Sequence, residues 1–155
     1  MEACSVTCSY IYQIGLHSGG KSFFHGQWGA ITFYFFSNFG TSDVYKLYVT
    51  NDGGWNWSIY SLPIKPNEGV KNIQFVSNSI GYLQVYTPNK NASLPGTFQW
   101  FQSINGGRTW QRLSTGLPIY ATIRFQSSNF WLAINHGELL RTQNAGRSWT
   151  EIYGE

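Results

Sequence analysis

The chain holds seven carboxylates, Glu2, Asp43, Asp52, Glu68, Glu138, Glu151 and Glu155. Two of them flanking one sugar bond would make a glycoside hydrolase, one protonating the leaving oxygen while the other attacks or activates water. Asp52 is followed by Gly53-Gly54, which is also how an acidic metal loop or a phosphate cradle starts. A calcium loop needs several carboxylates and a closing Glu, whereas the glycine turns of this chain each offer one Asp or an amide. His17, His25 and His136 have no ligand spacing and read as ordinary polar or core residues, so no metal site is expected. Asp43, Glu68 and Glu138 fall in different segments, in loops or at strand ends, where solvated carboxylates are the norm. No residue is assigned a catalytic role, no cofactor is expected, and the chain is expected not to be an enzyme.

Asp52 belongs instead to an octet that recurs. Thr50-Asn51-Asp52-Gly53-Gly54-Trp55-Asn56-Trp57 aligns without gaps to Ser103-Ile104-Asn105-Gly106-Gly107-Arg108-Thr109-Trp110 and to Thr142-Gln143-Asn144-Ala145-Gly146-Arg147-Ser148-Trp149. An eroded copy can be read at Leu16 to Phe23. A tight hairpin needs two backbone positions with positive φ and a short side chain to satisfy the turn amides. The glycines supply the first, and Asp52, Asn105 and Asn144 the second, by accepting from amides two residues on. Trp57, Trp110 and Trp149 then open the outgoing strand and fix the hairpin onto its sheet by burial. On this reading Asp52, Gly54, Trp57, Asn105, Gly107, Trp110, Asn144, Gly146 and Trp149 are structural residues.

The elements that carry the octets repeat as well. Ile31-Thr32-Phe33, Ile73-Gln74-Phe75 and Ile123-Arg124-Phe125 precede them with strand-like alternation. Phe33 to Asp52 and Phe125 to Asn144 are both 19 residues, and Phe75 to Asn105 is 30. The excess of 11 is placed on a loop insertion at Pro88 to Gly96. Ser61-Leu62-Pro63-Ile64 and Gly116-Leu117-Pro118-Ile119 read as matching exits. No sustained 3.6-residue period occurs, so the chain reads as all-β, with four short strands per unit of about 40 residues, the size of one propeller blade. The expectation is one domain, 1–155, of repeats at about 1–28 (partial), 29–66, 67–120 and 121–155: a partial β-propeller of three to four antiparallel four-stranded blades.

Composition bounds the partners. Charged residues make up 11% of the chain and aromatics 18%, so the surface must be rich in Ser, Thr, Asn, Gln and Gly, as in many secreted β proteins. An extracellular or periplasmic setting is favoured on that ground, although no signal peptide is visible after Met1. The net charge of +3 is scattered, which gives no footprint for nucleic acid. No apolar stretch approaches the ~18 residues of a spanning helix. Bridging Cys4 to Cys8 would require a tight turn, because extended chain separates them by roughly 13 Å.

The octets at 50–57, 103–110 and 142–149 resemble the Asp-box repeats of sialidases, xyloglucanases, sortilin-type receptors and photosystem II assembly factors. That resemblance implies a propeller built of hairpin blades, a fold that serves enzymes, receptors and assembly factors alike. A sialidase likeness would imply an arginine triad, a Tyr–Glu nucleophile pair and an acid Asp. Arg108 and Arg147 sit within the octets and Arg112 follows Trp110, so sialidase chemistry is not expected.

The expected function is a non-catalytic interaction or assembly module resembling the photosystem II assembly factor-like proteins, with a protein or carbohydrate partner; the alternative is a glycoside hydrolase or a piece of one. Tyr86 and Trp100, beside the Pro88 to Gly96 loop, are the candidate partner contacts. Three or four blades fall at or below the smallest closed ring, so closure is expected from a second copy or from further blades of a longer chain.

Overall fold

A computed structural model describes residues 14–15, 22–24, 27–35, 44–91, 93–113 and 121–153. Cys4, Cys8, His17, His25, Asp43, the exit at 116–119 and most of the eroded octet lie outside them. The described residues form three antiparallel meanders and no helix. The first sheet joins β1 (Ile14–Gly15) and β2 (Ser22–Phe24), both paired to β3 (Trp28–Phe35), then β4 (Val44–Thr50) and β5 (Ser58–Ser61). The second runs β6 (Gly69–Phe75), β7 (Gly81–Thr87), β8 (Thr97–Ser103) and β9 (Gln111–Arg112). The third runs β10 (Thr122–Phe125), β11 (Trp131–Asn135), β12 (Glu138–Thr142) and β13 (Thr150–Tyr153). Each sheet has four strand positions in chain order, the layout of a propeller blade.

Strand register corrects part of the repeat alignment. Gly29, Gly81 and Trp131 stand opposite Thr50, Ser103 and Thr142, the first residues of the octets. Their partners on the preceding strand are Phe23, Phe75 and Phe125. The counterpart of Phe75 and Phe125 is therefore Phe23, and Ile31-Thr32-Phe33 lies one strand later, in β3. The shared spacing of 19 residues was a coincidence: the first hairpin is long, like the second, and only the third is short. The segment read as an eroded octet does not join paired strands either, because β1 and β2 both pair with β3. They form the outer position of the first sheet, the stretch expected to be a separate partial unit.

The excess of the second unit divides between loop and ladder. The loop between β7 and β8 spans nine residues against two between β11 and β12, and both strands are seven residues long against five. The second hairpin thus projects past the third. Asn91, Asn89 and Ser93 tie the loop internally, the Asn91 amide donating to Asn89 Oδ1 at 3.0 Å and the Ser93 amide to Asn91 Oδ1 at 3.1 Å.

Two apolar layers hold the three sheets face to face. Ala30, Leu47 and Val49 of the first sheet meet Ile73, Phe75, Leu83 and Val85 of the second, with Phe101 and Trp110 at the margin. Tyr82 and Trp100 on the second sheet's other face meet Ile123, Phe125, Trp131 and Ala133 of the third. We call the face toward the next sheet the forward face and the other the rear face. Tyr82 stacks on Phe125 at 4.0 Å and meets Trp131 edge-on at 5.1 Å, an arrangement that adds to the area it buries. Its hydroxyl donates to Ser128 O at 3.2 Å, and burial raises its pKa above the usual tyrosine value. The Gln74 amide clamps the third sheet's edge, donating to Phe125 O at 2.6 Å and accepting from the Phe125 amide at 3.4 Å. Because both faces of the second sheet are covered, Gly81 to Val85 form a continuous buried run without alternation.

Candidate functional site

The residue types that looked able to do chemistry are consumed by the turns. Thr50 Oγ1 donates to Asp52 Oδ1 at 2.8 Å and accepts from the Gly54 amide at 2.9 Å. Asp52 Oδ1 in turn accepts from the Asn56 amide at 2.9 Å, and Oδ2 from Asn56 Nδ2 at 2.6 Å. These donors, the Asn56 amide first, hold the Asp52 carboxyl at a pKa of about 2. The second and third octets repeat the scheme with Asn105 accepting from the Thr109 amide at 2.9 Å and Asn144 from the Ser148 amide at 3.0 Å. The acid or amide oxygen therefore serves the amide four residues on. The amide two residues on, that of Gly54, Gly107 or Gly146, is taken by the hydroxyl of Thr50, Ser103 or Thr142, at 2.8 to 3.0 Å. This corrects the expected division of labour within the turn, while the positive φ values fall on the expected glycines, 73° and 98° at Gly53 and Gly54, 72° and 87° at Gly106 and Gly107. In the third octet Ala145 adopts φ 57°, where a side chain is strained.

The Trp positions differ more than the turns do. Trp57 and Trp110 donate their indole N–H to the carbonyls of Gly54 and Gly107 at 2.8 and 3.1 Å. Trp149 Nε1 is buried with no hydrogen-bond partner among the described residues. Trp110 packs on Phe75 at 6.0 Å and Trp149 lies 6.4 Å from Trp131, whereas Trp57 is 39% exposed. Arg108 projects from its octet onto the first sheet and donates to Tyr60 Oη at 3.3 Å, which lowers the Tyr60 pKa.

Among the remaining acids, Glu68 is engaged in closing the second hairpin: Oε1 accepts from Thr87 Oγ1 and Oε2 from the Lys65 amide, both at 2.9 Å. Glu138 stands on the third sheet, opposite Asn135 at the hairpin tip. His136, beside it, takes φ 50° in the two-residue turn. Of the two candidate partner contacts, Tyr86 is at the surface and lies 5.2 Å from Phe98. Trp100 is only 5% exposed and packs edge-on against Phe125 at 5.3 Å, so it is a core residue and not a contact. Alternation along β8 sends it to the forward face, under the third sheet.

The same alternation places Phe98, two residues earlier, on that face but beyond the end of the short third hairpin. The overhang roofs a cleft of about 270 Å³ lined by Lys71, Asn72, Gln84, Phe98, Ala121, Thr122 and Ile123. β6 and β10 are edge strands, so the cleft opens along main-chain groups with no sheet neighbour on that side among the described residues. The ladder of β6 skips Lys71, since Val70 pairs with Val85 and Asn72 with Gln84, and this bulge re-aims the lysine. Sequence reasoning found the extra length that makes the overhang but missed Lys71, Gln84 and Phe98. The apolar residues at both parities in Tyr82-Leu83-Gln84-Val85 were the signal that both faces of this hairpin are used. A more polar cleft of about 180 Å³, including Asn51, Asn105, Tyr60 and Arg108, separates the first two sheets at the octet end.

No family model matches this sequence, and no curated protein matches it. Among solved structures it is similar to YCF48 bound to D1 peptide, with a TM-score of 0.52 and 18% identity over 93% of this chain and 40% of that one. The likeness concerns the fold: this chain has a β-propeller architecture and spans less than half the length of that neighbour.

Proposed function

We propose that the chain is a non-catalytic interaction module of the Asp-box propeller type that holds an extended polypeptide segment in the cleft between its second and third sheets. The observation that carries this reading is the lining of the cleft. Edge-strand main chain at Ala121 to Ile123 and the amides of Asn72 and Gln84 match a peptide backbone, Phe98 matches an apolar side chain, and Lys71 matches an acidic group. At about 270 Å³ the cleft falls just short of the ~300 Å³ at which pockets for whole small molecules begin, and it suits one or two side chains of a longer segment. The structural neighbour bound to D1 peptide supports a peptide as the kind of occupant.

The test is fluorescence-polarisation titration of a labelled library of acidic-apolar peptides against the full chain. Phe98→Ala and Lys71→Glu are each expected to weaken the best binder by about tenfold or more, the range of a contact at the centre of an interface. Binding indifferent to both substitutions would overturn the reading.

A further inference from the structure

We infer that the chain's two end faces dock on each other between copies, the forward face of the third sheet of one copy covering the rear face of the first sheet of another. The inference is independent of the peptide cleft.

It rests on register. Leu132 and Leu139 on the third sheet occupy the positions of Tyr82 and Trp100 on the second, and of Ala30 and Leu47 on the first. Those four counterparts are buried under the next sheet. Ile134 stands where the second sheet has Gln84 and the first Thr32, both buried, yet it is 58% exposed. Phe130, Ile152 and Tyr153 add further exposed apolar area at this end. An interface-type face is thus present with nothing over it among the described residues.

The opposite end carries the matching half. Ile31 and Phe33 hold the rear-face positions that Leu83 and Val85 hold on the second sheet, where they lie buried against the first. Tyr48 stands beside them at the position of Phe101, and Phe33 meets it edge-on at 5.1 Å. Trp57 is the exposed equivalent of Trp110, and Trp55, 89% exposed, stands at the position from which Arg108 reaches the neighbouring sheet at Tyr60. Leu139 pairs with Tyr153 as its counterpart Leu47 pairs with Tyr60, so the Arg108–Tyr60 contact of the internal joint would become Trp55 on Tyr153, aromatic on aromatic, with both rings exposed.

Both internal joints are forward on rear, and the same operation continued between two copies gives six blades, within the roughly four to eight of closed propellers. Such a contact is heterologous, and with two copies it closes on itself.

Light scattering over a dilution series is expected to give twice the 17.6 kDa mass of the chain. Ile134→Lys on the forward face and Ile31→Lys on the rear face should each raise the dissociation constant about 100-fold, the weight of a central interface residue. Mixing the two variants is the decisive arm: one of the two joints then pairs an intact forward face with an intact rear face while the other carries both lysines, so the mixture should dimerise through the intact joint more tightly than either variant alone. Far-UV circular dichroism checks that each variant folds, with Tyr48→Lys as the rear-face substitute. A monomer at every concentration, a mass other than twice the chain, or a mixture that stays monomeric would each overturn the inference.

Discussion

The octets at 50–57 and 103–110 share their main hydrogen bonds down to the indole that donates to a glycine carbonyl, yet one Trp is exposed and the other is half-buried against a core. The turn is therefore set locally, and the neighbouring sheet decides what the turn is worth. Gly54 and Gly107 show the same division. A Cβ on Gly54 would have ordinary contact with the Trp57 ring at 3.6 Å, while one on Gly107 would lie 2.3 Å from Leu47 Cδ2 of the first sheet.

The comparison can be broken most directly at the tryptophans. Trp110→Ala is expected to destabilise the fold by about 3 kcal/mol, near the low end for a core Trp, and Trp57→Ala by about 1 kcal/mol. Urea denaturation at low protein concentration measures both, and equal losses would mean that the neighbouring sheet does not matter. Next come the glycines. Gly107→Ala should cost about 2–3 kcal/mol from strain at φ 87° together with the clash, against about 1 kcal/mol for Gly54→Ala from strain alone. A similar cost at both positions would assign the whole effect to φ.

A gain is expected in the third octet, where Ala145→Gly relieves a side chain at positive φ and should add about 0.5–1 kcal/mol to stability. The mildest contrast is in pH. Asp52 is the one octet acid, and its folded pKa of about 2 lies below the ordinary 3.8. Its stabilising contribution is complete above 3.8 and is lost as pH falls toward about 2. Asn105 and Asn144 do not titrate, so Asp52→Asn should flatten the acid limb of the stability profile. An unchanged acid limb in that variant would place the acid sensitivity elsewhere.

These contrasts mark what could be read from the sequence. The octets were legible because each closes on its own side chains within eight residues, and the all-β, bladed architecture followed from their spacing. The alignment of Ile31-Thr32-Phe33 with Ile73-Gln74-Phe75 went astray because two β-rich tripeptides look alike, while their place in the sheet depends on hairpin length and pairing. Trp100 was misjudged for a related reason: proximity to a long loop says nothing about which face of β8 it takes or what covers that face. The cleft is the least legible feature, since it is a difference between two hairpins rather than a property of either.

The glycine at 107 also bears on the order in which the molecule is made. Leu47 fills the space that a side chain on Gly107 would need, and the layer around Leu47 draws on Ile73, Phe75, Leu83 and Val85 as well. In a chain synthesised from its N-terminus the buried members of that layer, Trp28 to Val85, all emerge before the 103–110 turn that lies over Leu47. The last cover over Leu47 is thus a residue 60 positions later, and the first sheet's packing is finished only as the second is completed.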